Sequence, residues 1–257
     1  CMPRKAYTRA LVTGASSGIG DSFARLLADD GVDLVVVARS TAKLEALAEV
    51  LGVHVEVITA DLTAPDDLRR VAARLAADPA IDLLVNNAGF GSAGPFARAD
   101  LDAELSLVQI HVQAMMTLTH AALQAMHRRG GGGILNVSSM AGFQPIPTSA
   151  TYAACKAFET SFTESVRLEN LDRGVHVTAL CPGFVDTPMV QDDEGLTHMP
   201  RGVLLKPDHV AREGLAGVAS NKAVVVPGLA WKAASTLTGS MPRSATRLLM
   251  ANARRLR

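Results

Sequence analysis

Apolar residues along this chain follow two alternating patterns. Short, nearly continuous runs rich in Val, Ile and Leu occur at Ala10–Thr13, Asp33–Ala38, Val53–Thr59, Ile81–Asn86, Gly133–Ser138, Val175–Cys181 and Ala223–Val226. Between them, apolar residues return every three or four positions over Gly18–Asp30, Thr41–Leu51, Pro65–Ala77, Asp100–Arg129, Ser149–Arg173 and Pro207–Ser220. The first pattern predicts strands buried on both faces, and the second predicts amphipathic helices. Their alternation predicts crossover connections, hence an α/β fold with a doubly wound sheet of seven mainly parallel strands and helices on both faces. The run Gly130-Gly131-Gly132-Gly133 is expected to end the longest helix, because glycine reaches the left-handed geometry of a helix C-terminus.

No linker, composition shift or fixed-period repeat divides the chain, which predicts a single domain over residues 1–257. Two segments leave the pattern. Residues 187–206 are polar and proline-bounded, as expected of a lid over a site, and residues 228–257, with Trp231 and Arg254-Arg255, read as a C-terminal arm for packing or an oligomer contact.

The 257 residues carry 25 Lys and Arg against 25 Asp and Glu. That balance removes the basic field needed to hold nucleic acid or an anionic bilayer, so neither is an expected partner. No apolar run approaches the roughly 18 residues of a membrane span, and too few apolar residues precede Gly14 to form the hydrophobic core of a secretion signal. The expected location is cytoplasmic. Cys1, Cys155 and Cys181 are too scattered for a disulfide framework or zinc site. His120 and His127 share a helix with no carboxylate to complete a ligand set, so no metal is expected.

Strand Ala10–Thr13 runs into Thr13-Gly14-Ala15-Ser16-Ser17-Gly18-Ile19-Gly20, followed by helical periodicity. Gly14 permits a tight turn, Gly18 lets a diphosphate approach the backbone, and Gly20 lets helix pack on strand, with the helix N-terminus facing the anion. A turn of this composition that binds nothing is the plainer alternative. The second strand ends Val37-Ala38-Arg39-Ser40, with a base where an acid would hold an adenosine 2′-hydroxyl. Arg39 can fork onto a 2′-phosphate with Ser40 as a smaller donor, which favours NADP(H); a solvated surface Arg39 is the other reading.

Tyr152 and Lys156 stand one turn apart on a predicted helix, so their side chains share a face. An ammonium beside a phenol stabilises the phenolate and makes it a usable proton carrier near neutrality, although the same spacing also occurs on ordinary exposed helices. The strand before that helix delivers Ser138-Ser139 to the carboxyl edge of the sheet.

Taken jointly, these motifs resemble the short-chain dehydrogenases/reductases. The matching residues are Thr13, Gly14, Gly18 and Gly20; Asp61 after the third strand; Asn86-Asn87-Ala88-Gly89 after the fourth; Ser139, Tyr152 and Lys156; and Pro182-Gly183 with Thr187 after the sixth. The resemblance implies a Rossmann-type sheet in which Ser16, Ser17, Ile19 and Leu62 also line the cofactor. In family terms Asp61 bonds the adenine amino group, Asn87, Ala88 and Gly89 line the adenosine side, Val185 and Thr187 contact the carboxamide, and Lys156 holds the nicotinamide ribose. The implied reaction is reduction of a carbonyl or its reverse: Ser139 and Tyr152 donate hydrogen bonds to the substrate oxygen, and Tyr152 gives the proton.

One position departs from the family. Where its long helix commonly carries an Asn that holds a relay water, this chain has His111, with Gln109 and Gln113 out of register. Three readings stay open: His111 holds the same water, it is a neutral structural histidine with a slower relay, or it marks lost catalysis. The last would make the protein an NADP(H)-binding regulator or sensor instead of an enzyme. The substrate is expected to be a small hydrophobic carbonyl or alcohol, judged from Phe90, Phe143, Ile146, Met189 and Met199. Surplus apolar residues on the two long helices (Met115, Met116, Phe158, Phe162) predict a homodimer or homotetramer.

Overall fold

The computed structural model describes residues 7–188 and 203–240. Its seven strands are β1 Arg9–Thr13, β2 Asp33–Ala38, β3 Val55–Thr59, β4 Leu83–Asn86, β5 Gly132–Val137, β6 Val175–Leu180 and β7 Val224–Val225. They form one sheet in the order β3-β2-β1-β4-β5-β6-β7, every pair parallel. The direction of winding reverses between β1 and β4, and that switch point opens a crevice at the strand carboxyl ends.

The apolar runs are continuous because alternate residues feed two cores. Ala10, Val12, Leu34, Val36, Leu83 and Val85 pack with Phe23, Leu27, Leu44 and Val210 on one face. Leu11, Val35, Val37 and Leu84 pack with Leu68, Val71, Leu118 and Met126 on the other. Helices α1 (Gly18–Asp29), α2 (Thr41–Val50) and α7 (Pro207–Ala219) cover the first face, and α3 (Pro65–Ala76), α5 (Met115–Arg129) and α6 (Ala150–Glu169) the second. Both faces are thereby removed from water, the arrangement a parallel sheet requires.

Three features differ from the expected pattern. The stretch Asp100–Arg129 is not one regular helix: α4 (Leu101–Val108) passes through a wider π turn, Gln109–Ala114, before α5. Periodicity hides this, because one extra residue in a turn barely disturbs an apolar stripe. The helix over Ser149–Arg173 is shorter, spanning Ala150–Glu169, and a further helix, α8 (Leu229–Ser240), occupies the segment read as an arm. Gly130 ends α5 in the left-handed region (φ 81°), while Gly132 and Gly133 already belong to β5. Residues 189–202 of the proposed lid, with Met189 and Met199, and the arm beyond residue 240 lie outside the described residues.

Candidate active site

The glycine loop joins β1 to α1 at the switch point. Gly14 (φ 67°) and Gly18 (φ 58°) occupy backbone space that side chains rarely reach. A Cβ on Gly14 would come within 2.9 Å of the Ala88 Cα, and one on Gly20 within 2.1 Å of the Gly14 carbonyl oxygen. The Thr13 hydroxyl accepts from the amides of Asn87 (2.9 Å) and Ala88 (3.0 Å), and the Asn87 side chain donates to the Thr13 carbonyl (3.0 Å). Loop and Asn-Asn-Ala-Gly segment are therefore one backbone unit, with Asn87 committed to holding it. Ser16 and Ile19 are half-buried and Ser17 is exposed at the start of α1.

At the outer edge, Arg39 follows β2 and is exposed, and its guanidinium has no hydrogen-bond or ionic partner among the described residues. Ser40 begins α2 without a side-chain cap bond. Asp61 turns back on its own loop, its Oδ1 accepting from the Thr63 amide (2.9 Å) and hydroxyl (2.7 Å). Leu62 is buried in the second core. Across the crevice, a Cβ on Gly18 would lie 3.0 Å from Thr187 Cγ2, which brings the phosphate-loop candidate against the carboxamide-loop candidate. Val185 is buried and pairs with Leu205 in an isolated parallel bridge. Pro182-Gly183 is backed by Trp231 from α8, whose ring would touch any Cβ on Gly183 at 2.0 Å, and the indole N–H donates to the Val203 carbonyl (3.0 Å).

Tyr152 and Lys156 lie on α6, with Lys156 Nζ 5.5 Å from the centre of the Tyr152 ring. Ser139 caps the short turn Met140–Phe143, its Oγ accepting from the Ala141 amide (3.1 Å). Gly142 in that turn presses on the α6 backbone, where a Cβ would meet the Lys156 carbonyl carbon at 2.7 Å. Next to it, Ser138 Oγ donates to the Lys156 carbonyl (2.8 Å). The turn carrying Ser139 is thus docked on α6 at the height of Lys156.

His111 comes from the π turn and reaches the same cluster. Its ring meets Tyr152 edge-on, centroids 5.5 Å apart, and its Nε2 is 2.8 Å from the Phe90 carbonyl oxygen. Its Nδ1 is 2.9 Å from Oε1 of Glu159, so both ring nitrogens are engaged by protein. Glu159 was not among the residues singled out by motif. Its signal lay in the pattern: a carboxylate one turn beyond Lys156, on the stripe Ala153, Lys156, Thr160 and Thr163 that α6 buries. Its other oxygen accepts from Lys156 Nζ (2.9 Å), which also donates to the Val137 carbonyl (2.9 Å). Burial works against the Lys156 ammonium, yet the charges of Glu159 and Tyr152 outweigh it and raise the pKa above the ordinary lysine value. Among the described residues no group of three or more His, Cys, Asp and Glu gathers to hold a metal, and no helix is long and apolar enough to cross a membrane.

Comparison with known proteins shows the family and the fold. Residues 8–195 match the family described as short chain dehydrogenase. The 3-oxoacyl-(acyl-carrier-protein) reductase of Vibrio cholerae is 32% identical over 226 residues, covering 85% of this chain and 92% of that protein. A short-chain dehydrogenase from Sphingobium yanoikuyae, solved in complex with NADPH, superposes with a TM-score of 0.80 at 32% identity, over 92% of this chain and 97% of that one. The bulky-bulky ketone specific alcohol dehydrogenase from Comamonas testosteroni superposes at 0.77 with 30% identity, over 92% and 95%.

Proposed function

Because the chain belongs to the short-chain dehydrogenase/reductase family, we propose that this oxidoreductase is NADP(H)-dependent and acts on a hydroxyl/carbonyl pair of a small hydrophobic substrate. The observation that carries the reading is the Lys156 ammonium 5.5 Å from the Tyr152 ring. A buried cation there favours the charge that appears on the phenol oxygen once its proton has left.

The residues present fit the cofactor. Gly14 and Gly18 leave bare backbone at the start of α1 for a diphosphate, since a side chain on either would strike Ala88 or Thr187. Arg39 offers an exposed guanidinium at the end of β2, where no acid competes, which supports a 2′-phosphate and so NADP(H). Ser16, Ser17, Ile19, Ser40, Asp61, Leu62, Asn87, Ala88, Gly89, Pro182, Gly183, Val185 and Thr187 would complete its surroundings. When bound, the nicotinamide supplies or accepts the hydride.

The chain's own share is positioning and proton handling. Tyr152 donates its O–H to the substrate oxygen and gives up that proton as the alkoxide forms. Ser139 donates a second hydrogen bond to the same oxygen, and Lys156 balances the phenolate. Phe90, Phe143 and Ile146, each half-buried, support an apolar substrate. A homodimer or homotetramer belongs to the same reading, supported by the exposed apolar residues Leu101, Leu105, Val108 and Met116 along α4 and α5 and Leu168 on α6.

The test is NADPH with a panel of hydrophobic ketones and aldehydes, comparing wild type with Tyr152→Phe. The expected result is turnover of at least one substrate, reduced about 10²–10⁴-fold in the variant while the NADPH dissociation constant by calorimetry is unchanged. NADPH binding without turnover of any substrate would instead favour the regulator or sensor.

A further inference from the structure

Hydrogen-bond accounting around Lys156 assigns charges that the Tyr-Lys pair alone does not reveal. Glu159 is 4% exposed, His111 2% and Lys156 5%, so none of the three is solvated. The Phe90 carbonyl oxygen can only accept, hence His111 Nε2 is an N–H donor. The 2.9 Å contact between Nδ1 and Glu159 Oε1 needs a proton as well. Lys156 already donates to the other oxygen of that carboxyl group, which favours the carboxylate, so the proton belongs on Nδ1. The cluster then reads ammonium, carboxylate, imidazolium.

This order has an electrostatic consequence for Tyr152. A carboxylate bonded to Lys156 largely cancels the field that the ammonium exerts on the phenol. His111 stands as near as Lys156 does: ring to ring 5.5 Å, against 5.5 Å from Nζ to the same phenol. A second cation at that distance returns the cluster to a net single positive charge.

We propose that Glu159 and His111 are a charge-balancing pair of the proton-transfer site: Glu159 is the positioning residue that anchors Lys156, and protonated His111 restores the positive charge that the carboxylate withdraws from Tyr152. The proposal rests on the catalytic reading above. It requires one proton movement, from the Tyr152 hydroxyl to the forming alkoxide, after which a single negative charge on the phenol faces a single net positive charge.

The surroundings are compatible. Burial, the largest cause, pushes the thiols of Cys155 on α6 and Cys181 just after β6 up to about 11, so both are uncharged at neutral pH. Glu104 on α4 is a further buried carboxyl group that acts on the Cys155 side of α6. Gly89 makes room for the imidazole, since a Cβ there would lie 2.3 Å from His111 Cε1.

The experiment compares wild type, His111→Asn, Glu159→Gln and the double variant in kcat/KM for ketone reduction across pH, with thermal unfolding to verify that each is folded. In parallel, ¹⁵N NMR of the histidine rings is recorded on wild type without cofactor. Removing only His111 leaves Glu159 opposing Lys156. The rate should fall about tenfold or more and the alkaline limb should move up by about one pH unit or more, as expected for a charge lost at this range. Adding Glu159→Gln to His111→Asn should recover most of the rate and return the limb, whereas two merely structural losses would add. Both His111 nitrogens should appear as N–H at pH 7. A double variant no faster than His111→Asn, an unmoved limb, or a His111 ring with unprotonated Nδ1 would each overturn the proposal. The NMR result stands whether or not the wild type turns over a ketone, so it separates failure of the charge assignment from failure of the catalytic reading.

Discussion

At the scale of single residues, the site is built from atoms that leave no slack. Arg39 is the exception, a cation free to take a ligand; Arg39→Asp is expected to shift preference from NADPH toward NADH, read as the ratio of the two kcat/KM values, because a carboxylate repels a 2′-phosphate and bonds a 2′-hydroxyl. Gly89→Ala should cost about 1–3 kcal/mol in urea unfolding and lower turnover as well, since the new methyl meets a ring pinned between the Phe90 carbonyl and Glu159 and unable to yield. The buried thiols make a different kind of prediction. Cys155 and Cys181 are raised from 9.0 to about 11, so the folded chain keeps two protons that the unfolded chain releases near pH 9. Stability should therefore be fully present below pH 9 and decline between pH 9 and 11, visible as a falling Tm, and Cys155→Ala with Cys181→Ala should flatten that decline.

At the scale of elements, strands were the legible part. Ala10–Thr13 and Asp33–Ala38 were readable nearly to the residue because a strand buried on both faces must be apolar at every position, and no other element shares that demand at this length. The glycine loop and the Tyr152–Lys156 pair were readable as candidates for a related reason, since each depends on local spacing, whereas Ser139 was separated from Ser138 only by the family resemblance. What stayed hidden depends on a partner distant in sequence. The helix Leu229–Ser240 follows Gly228 (φ 80°) and packs its Trp231 on the loop at Gly183, far earlier in the chain, which no local period announces. Glu159 likewise depends on a partner 48 residues away, His111, brought in by the π turn. That turn is testable as an element: deleting exposed Gln113 should restore regular winding and re-register His111 within the turn, while α4 and α5 keep their faces. The variant is expected to lose Tm and to lose the edge-on contact with Tyr152, read as the disappearance of the His111 ring signal shift in ¹⁵N NMR.

At the scale of the whole molecule, the candidate groups of the loops follow the carboxyl ends of β1 to β6 and meet Tyr152 and Lys156 of α6 and His111 of the π turn, while both faces of the sheet remain sealed. The outer side of α4 and α5 is less well sealed. Leu101, Leu105, Val108 and Met116 are exposed there, and a second copy would cover them. Light scattering of the wild type at micromolar concentration should return a dimer or tetramer, and Leu105→Asp should reduce it to monomer; a monomeric wild type would contradict the assembly. Trp231 has one more consequence. It is the single tryptophan of the chain, its ring lies against Gly183 and edge-on to Phe184, and its N–H donates to the Val203 carbonyl. Tryptophan emission of this protein therefore comes from one known address, and an occupant that shifts the Pro182-to-Thr187 strip is expected to write its arrival into that emission without an attached dye or label.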